Sequence, residues 1–287
     1  MYKYLITPEQ LKQHLHEPGY LIFDVRHDLL NHQAGLHAYQ QGHIPGALFL
    51  DHEQQLAAEK TGKNGRHPLP KRSDFAALMR LQGLGTRTQV VVYDSSNGLF
   101  ACHLWWMLRW LGHEKVAVLE GGWPSWLAIG GEQETGIRKP ARTEAQALQS
   151  LPMSEHAAMP VRTVDQVCAE LGNDNRVVLD ARAPERFRGE HEPMDPVAGH
   201  IPGALNRSHL QNLEADGKFK TIEKLREEFD ALLGHIKPPQ VTHQCGSGIT
   251  ACHNLFAMEM AGLAGSNLYP GSWSEWVADA SRPVELD

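Results

Sequence analysis

Apolar residues along this chain fall into short runs and helical stripes, and the series occurs twice in the same order. Leu21-Ile22-Phe23 leads into Asp24-Val25-Arg26, and Val177-Val178-Leu179 leads into Asp180-Ala181-Arg182. Such runs are continuous rather than alternating, which predicts strands buried on both faces of a parallel sheet. Val90-Val91-Val92-Tyr93 and Gln240-Val241-Thr242-His243 read the same way. Between the runs lie stripes at helical spacing: Ser73 precedes Phe75, Leu78 and Met79, and Thr221 precedes Ile222, Leu225, Phe229 and Leu232. Thr7-Pro8-Glu9-Gln10 and Thr163-Val164-Asp165-Gln166 each place Gln three residues after Thr, a capping box that starts a helix, with Pro8 suited to its first position. Strands alternating with helices predict an α/β fold.

The punctuation repeats as well. Gly42-His43-Ile44-Pro45-Gly46-Ala47 recurs as Gly199-His200-Ile201-Pro202-Gly203-Ala204, and Gly121-Gly122-Trp123-Pro124-Ser125-Trp126 is answered by Gly271-Ser272-Trp273-Ser274-Glu275-Trp276. Both turns, and Asp24 and Asp180, are read as structural. A repeat of about 150 residues in a chain of 287 implies two tandem domains, each a parallel sheet with helices on both faces. The expected boundaries are 1–130 and 161–287, joined by a linker over 131–160 that holds Pro140, Pro152 and Pro160. Residues 53–71 form a charged excursion from the first domain, of a length that often carries function.

Composition narrows the classes. The net charge of −7 argues against a nucleic-acid surface and leaves no polybasic membrane patch. No long apolar run spans a bilayer, and Met1-Tyr2-Lys3-Tyr4-Leu5 does not open a signal peptide, so a cytoplasmic protein is expected. Four cysteines without a Cys-x-x-Cys pair suggest a reducing compartment. The 17 histidines fall without metal-ligand spacing, so neither a metal nor a cofactor is expected.

The candidate chemistry lies in His243-Gln244-Cys245-Gly246-Ser247-Gly248-Ile249-Thr250-Ala251-Cys252-His253, which reads as strand, loop and helix start. A cysteine attacks only as thiolate, and an ordinary thiol near pKa ~8.5 is mostly protonated at neutral pH. Gly246 and Gly248 let the backbone curl so that N–H groups point inward as an anion nest, and the helix beyond adds its positive end. Cys102, Cys168 and Cys252 read as inert. In the first copy, at an offset of 150, Ser95 stands at the cysteine's place, so that copy is expected to be non-catalytic. A cysteine phosphatase would need Arg after five intervening residues, and position 251 is Ala.

With these residues in view, the chain resembles the tandem rhodanese-domain sulfurtransferases from about Leu5 to Trp276. Within that family the loop Cys245–Ala251 is similar to that of the 3-mercaptopyruvate sulfurtransferases, whose loop residues are small and neutral, whereas thiosulfate-specific rhodaneses carry basic residues right after the cysteine. The resemblance implies that Cys245 takes sulfur from a small-molecule donor as a persulfide and passes it to a thiol, thioredoxin or cyanide. It implies that Gly246, Gly248, Ile249 and Thr250 line the substrate loop and that Asp51 and His67 work with Ser247 on the leaving group. It implies that Arg186 binds the substrate anion. The family's second arginine is replaced by Met194, for which Arg207 or Arg188 could compensate. Thiosulfate is the alternative donor, and a persulfide carrier or docking module is the non-enzymatic alternative.

Overall fold

The computed structural model describes residues 1–140 and 157–287. Two compact units emerge: residues 1–58 with 70–158, and residues 59–69 with 159–287. Two refinements of the expected boundaries follow. Part of the excursion, Glu59–Leu69, belongs to the second unit. The start of the expected linker packs on the first unit, because Trp126 donates to the Glu132 carbonyl at 2.8 Å, Glu134 pairs with His43, and the Glu134 carboxylate accepts from the Gly46 N–H at 2.8 Å. Pro152 lies outside the described residues.

In the first unit, strands β1 (Leu5–Ile6), β2 (Tyr20–Asp24), β3 (Leu48–Phe49), β4 (Gln89–Tyr93) and β5 (Val116–Leu119) form a parallel sheet in the order β1-β5-β4-β2-β3. Every residue of β4 and β5 is buried, as continuous apolar runs require. Its helices are α1 (Pro8–His14), α2 (Ala34–Gln41), α3 (Arg72–Leu81), α4 (Ala101–Trp110) and α5 (Gly122–Ala128). The Thr7 capping box forms with Pro8 in the first turn. Helix α3 instead begins before Ser73, which lies inside it.

The second unit repeats the plan with fewer strands. Strands β6 (Val177–Asp180), β7 (Leu205–Asn206), β8 (Val241–Gln244) and β9 (Asn267–Leu268) run parallel in the order β7-β6-β8-β9. A counterpart of β1 is reduced to the single bridge between Val161 and Leu268. Helices α6 (Val164–Ala169), α7 (Pro184–Phe187), α8 (Ile222–Leu233), α9 (Ala251–Met260) and α10 (Ser272–Trp276) accompany it. Thr163 makes the second capping box, and Thr221 caps α8 by accepting from Lys224 N–H.

The Asp-x-Arg and Gly-His-Ile-Pro-Gly repeats are one structural device. Arg26 grips Asp24 and donates to the Gly42 carbonyl at 2.6 Å, while Arg182 grips Asp180 and donates to the Gly199 carbonyl at 2.7 Å. Each guanidinium lies over a tryptophan, Trp123 and Trp273 respectively, at 4.8 and 4.7 Å. Each turn histidine bonds a carbonyl of the preceding helix and stacks on its aromatic residue, His43 on Tyr39 and His200 on Phe187.

Sheet register corrects the alignment of the two copies. Asp24 pairs with Tyr93 and Asp180 with Gln244, so the residues that follow, Asp94 and Cys245, are equivalent. Trp123 N–H donates to the Asp94 carbonyl and Trp273 N–H to that of Cys245, which fixes the same correspondence. Asp94, not Ser95, therefore stands at the cysteine's place. A constant offset of 150 misplaces it because the stretch Ser95–Phe100 is one residue longer than Gly246–Thr250. The Asp94 carboxylate accepts from the N–H groups of Ser96, Gly98, Phe100 and Ala101, so the first unit's loop is already filled by an anion of its own. The histidines, patternless in sequence, are partly gathered by this unit: ligand atoms of His27, His32 and Glu53 lie within 4.8 Å of one another.

Just before the second loop, His243 is fully buried, with Nε2 at 3.2 Å from Ser266 Oγ, and burial pushes its pKa down to about 3. The unfolded chain takes up this proton near pH ~6.5 and the folded chain does not, so the stabilising contribution is complete above that pH and declines below it. His243→Gln should therefore flatten the acid loss of stability, removing about 2 kcal/mol of the difference between pH 7.5 and 5 in urea unfolding.

Candidate active site

Cys245 lies where the sheet topology opens. From β6 the chain crosses to β7 on one side and returns to β8 on the other, so the ends of β6 and β8 flank the point at which α/β folds place ligands. Arg182 follows the first of these strands and Cys245 the second.

The loop is held from behind by the start of α10. N–H groups of Trp273 and Ser274 donate to the carbonyls of Cys245 and Gly246, each at 3.0 Å. The Ser272 Oγ accepts from Cys245 N–H at 3.1 Å and donates to the Tyr269 carbonyl at 2.9 Å. Ser272 has a φ of 54°, a left-handed conformation given to Gly122 in the first unit. Gly248 has a φ of 86°, and a Cβ there would lie 2.4 Å from the Pro270 carbonyl oxygen, so the residue must be glycine. Cys245 is 2% exposed. Burial works to lower the pKa of the neighbouring Arg182 guanidinium, but Asp180, with Glu192 behind it, outweighs this and holds it above the usual value. Burial, with Cys245 beside it, pushes the Cys252 thiol well up, so Cys252 stays protonated and sits against the Gly248 carbonyl.

Ser247 and His67 meet: Oγ lies 2.8 Å from Nδ1, and both residues are buried. The segment Glu59–Leu69 thus brings the imidazole to the loop, held by the bond from Arg66 N–H to Ser274 Oγ at 3.0 Å.

A chain of alternating charges borders the loop. Asp180 pairs with Arg182, Arg182 with Glu192, Glu192 with Arg186, and the Asp195 carboxylate with both Arg186 and Arg66. Side-chain exposure rises from 0% at Asp180 to 19% at Arg186 and 26% at Arg66, so the chain runs from the sheet towards solvent. Burial works to raise the Glu192 carboxyl, but Arg186 and the N–H groups of Met194 and Asp195 outweigh it and hold it below the usual range. Burial raises Asp195 against the pull of Arg66. Both arginines reach Gly246: a Cβ there would stand 2.7 Å from Arg66 Nη2 and 3.5 and 3.6 Å from the two Nη atoms of Arg186.

Of the residues expected from sequence, Cys245, Gly246, Ser247, Gly248, His67 and Arg186 are brought together. Ile249 is buried, and Thr250 precedes α9 without a side-chain cap. Asp51 belongs to the first unit, where its carboxylate caps a turn by accepting from the N–H groups of Glu53 and Gln54. The Arg207 guanidinium is held by Asn212, the Gln211 carbonyl and Glu228, and it lies over Phe229. Arg188 makes a surface pair with Glu190. Sequence reading missed Arg66, Arg182, Glu192, Asp195 and Ser272. Arg66 carried a signal in standing next to His67 in the excursion, and Arg182 and Ser272 in lying within the repeated stretches.

A family profile described as "Rhodanese-like domain" matches residues 7–129 and 163–279. A Pseudomonas aeruginosa protein named "Probable 3-mercaptopyruvate sulfurtransferase" is 44% identical over 285 residues, covering 98% of this chain and 97% of that one. A thiosulfate sulfurtransferase of Cricetulus griseus is 31% identical over 291 residues, covering 98% and 94%. Among solved structures, SseA from Escherichia coli, described as a 3-mercaptopyruvate sulfotransferase, is 30% identical with a TM-score of 0.75 over 95% of this chain and 99% of that one.

Ser272 offers a test of how the loop is held. Ser272→Ala keeps the left-handed strain and leaves the Cys245 N–H unsatisfied, a loss of about 2 kcal/mol. Ser272→Gly leaves the same donor unsatisfied but sheds about 1 kcal/mol of strain. Urea unfolding should therefore rank wild type above glycine and glycine above alanine.

Proposed function

We propose, given that the chain belongs to the rhodanese family of sulfurtransferases, that its donor is 3-mercaptopyruvate and its acceptor a thiol, thioredoxin or cyanide. The Cys245 thiolate attacks the donor's sulfur, the carbon–sulfur bond breaks, and the electron pair leaves as the enolate of pyruvate. That enolate takes up a proton to become pyruvate, while the enzyme holds the sulfur as a persulfide. An acceptor thiolate then attacks the outer sulfur and restores Cys245. Backbone N–H groups of a tight loop suit a large polarisable anion. The Asp94 carboxylate, ringed by four such groups in the equivalent loop, supports this reading.

The observation that carries the donor is the Ser247–His67 pair. An enolate needs a proton as it departs, and a hydroxyl bonded to an imidazole can supply one. Sulfite leaving from thiosulfate needs none. Thiosulfate is the second reading, favoured by the name of the hamster relative. Among the described residues no helix is long and apolar enough to cross a membrane. A reducing cytoplasm is proposed as the setting, since none of the four cysteines is in a disulfide and the cycle requires a thiolate.

Thiocyanate release with cyanide as acceptor tests both points. Turnover should be abolished in Cys245→Ser, and kcat/KM should favour 3-mercaptopyruvate over thiosulfate. Ser247→Ala should lower kcat about 100-fold with 3-mercaptopyruvate and leave the thiosulfate reaction within about threefold. A preference for thiosulfate in the wild type would overturn the assigned donor.

A further inference from the structure

We infer that His27, His32 and Glu53, all in the first unit, form a binding site for one divalent transition-metal ion, with zinc the best fit. His27 is 9% exposed, and its Nε2 is buried without a hydrogen-bond partner. A buried polar nitrogen left so costs free energy unless another group engages it. Beside it stands the His32 ring, with centroids 5.7 Å apart, and two imidazoles on one tetrahedral zinc place their centroids about 5 Å apart. Glu53 Oε1 lies 3.8 Å from His32 Nδ1. That is too far for a hydrogen bond and close to the roughly 3.4 Å between donors that share a zinc.

Two capped turns hold these donors in place. The Asp28 carboxylate accepts from the N–H groups of Leu30 and Asn31, turning the chain between His27 and His32. Asp51 accepts from the N–H groups of Glu53 and Gln54 in the same way. Charge favours a cation, because the carboxylates of Asp51, Glu53 and Asp28 all act on the His27 imidazole. Donor chemistry selects the ion: two imidazoles and one carboxylate suit zinc, cobalt or nickel, whereas calcium and magnesium take oxygen ligands. The His32 side chain is 53% exposed, so it can turn the short distance the metal requires and leaves the ion a way in. Three protein donors keep a further coordination position open.

Zinc and cobalt binding to the untagged full chain tests this. Because the Cys245 thiolate can take zinc as well, the measurements use Cys245→Ser, alone and combined with His32→Ala or Glu53→Gln. By equilibrium dialysis the single variant should hold one zinc per chain, and each added change should weaken binding about tenfold or more. Cobalt should give visible d–d bands without the near-ultraviolet charge transfer of a thiolate. Zinc should raise the Tm of the single variant and not that of the His32→Ala combination, whose metal-free Tm should be unaltered because His32 is exposed. Absence of zinc binding in Cys245→Ser would overturn the inference. An affinity indifferent to His32→Ala and Glu53→Gln would do so too, since the ion would then sit on other histidines, as would a thiolate band with cobalt.

Discussion

Much of the second unit depends on one buried ion pair, Asp180 with Arg182. The carboxylate ends β6, and the guanidinium it holds reaches the Gly199 carbonyl, the face of Trp273 and the Glu192 carboxylate. A single side chain thus ties a strand end to the following turn, to the helix start behind the nucleophile loop and to the acid that positions Arg186. Guanidinium suits the task because its five donors lie in one plane and stay charged in the interior. Asp24 and Arg26 do the same in the first unit, where no thiol follows β4, so the device serves the fold before it serves any chemistry.

The two loops show how little separates an internal cap from an active site. In the first unit an aspartate follows the strand and its carboxylate fills the ring of N–H groups. In the second the loop is one residue shorter and a cysteine takes that place. Ser272 marks the cost of this arrangement, holding a conformation that glycine adopts in the first unit because its hydroxyl satisfies the Cys245 N–H. Segment 59–69, numbered within the first repeat, packs in the second unit and brings His67 to Ser247 and Arg66 to Ser274.

By itself the sequence determined the α/β class, the tandem repeat, the capping boxes and the nucleophile loop. Each of these is written in local order: apolar runs, a Thr with Gln three residues on, or a cysteine followed by glycines. His67, Ser247 and Arg186, far apart in the chain, were pointed to only by the resemblance to the sulfurtransferase family. The sequence misplaced the first unit's counterpart of Cys245, because an offset counted along the chain ignores a one-residue loop difference that only sheet pairing exposes. Tertiary structure alone decided which charges meet. Arg207 had the right chemistry and was drawn off by Glu228 and Asn212, whereas Arg66, distant in the chain, was brought to Gly246. A guanidinium binds whichever carboxylates and carbonyls the folded backbone sets within about 3 Å, and that proximity is not encoded in local sequence order.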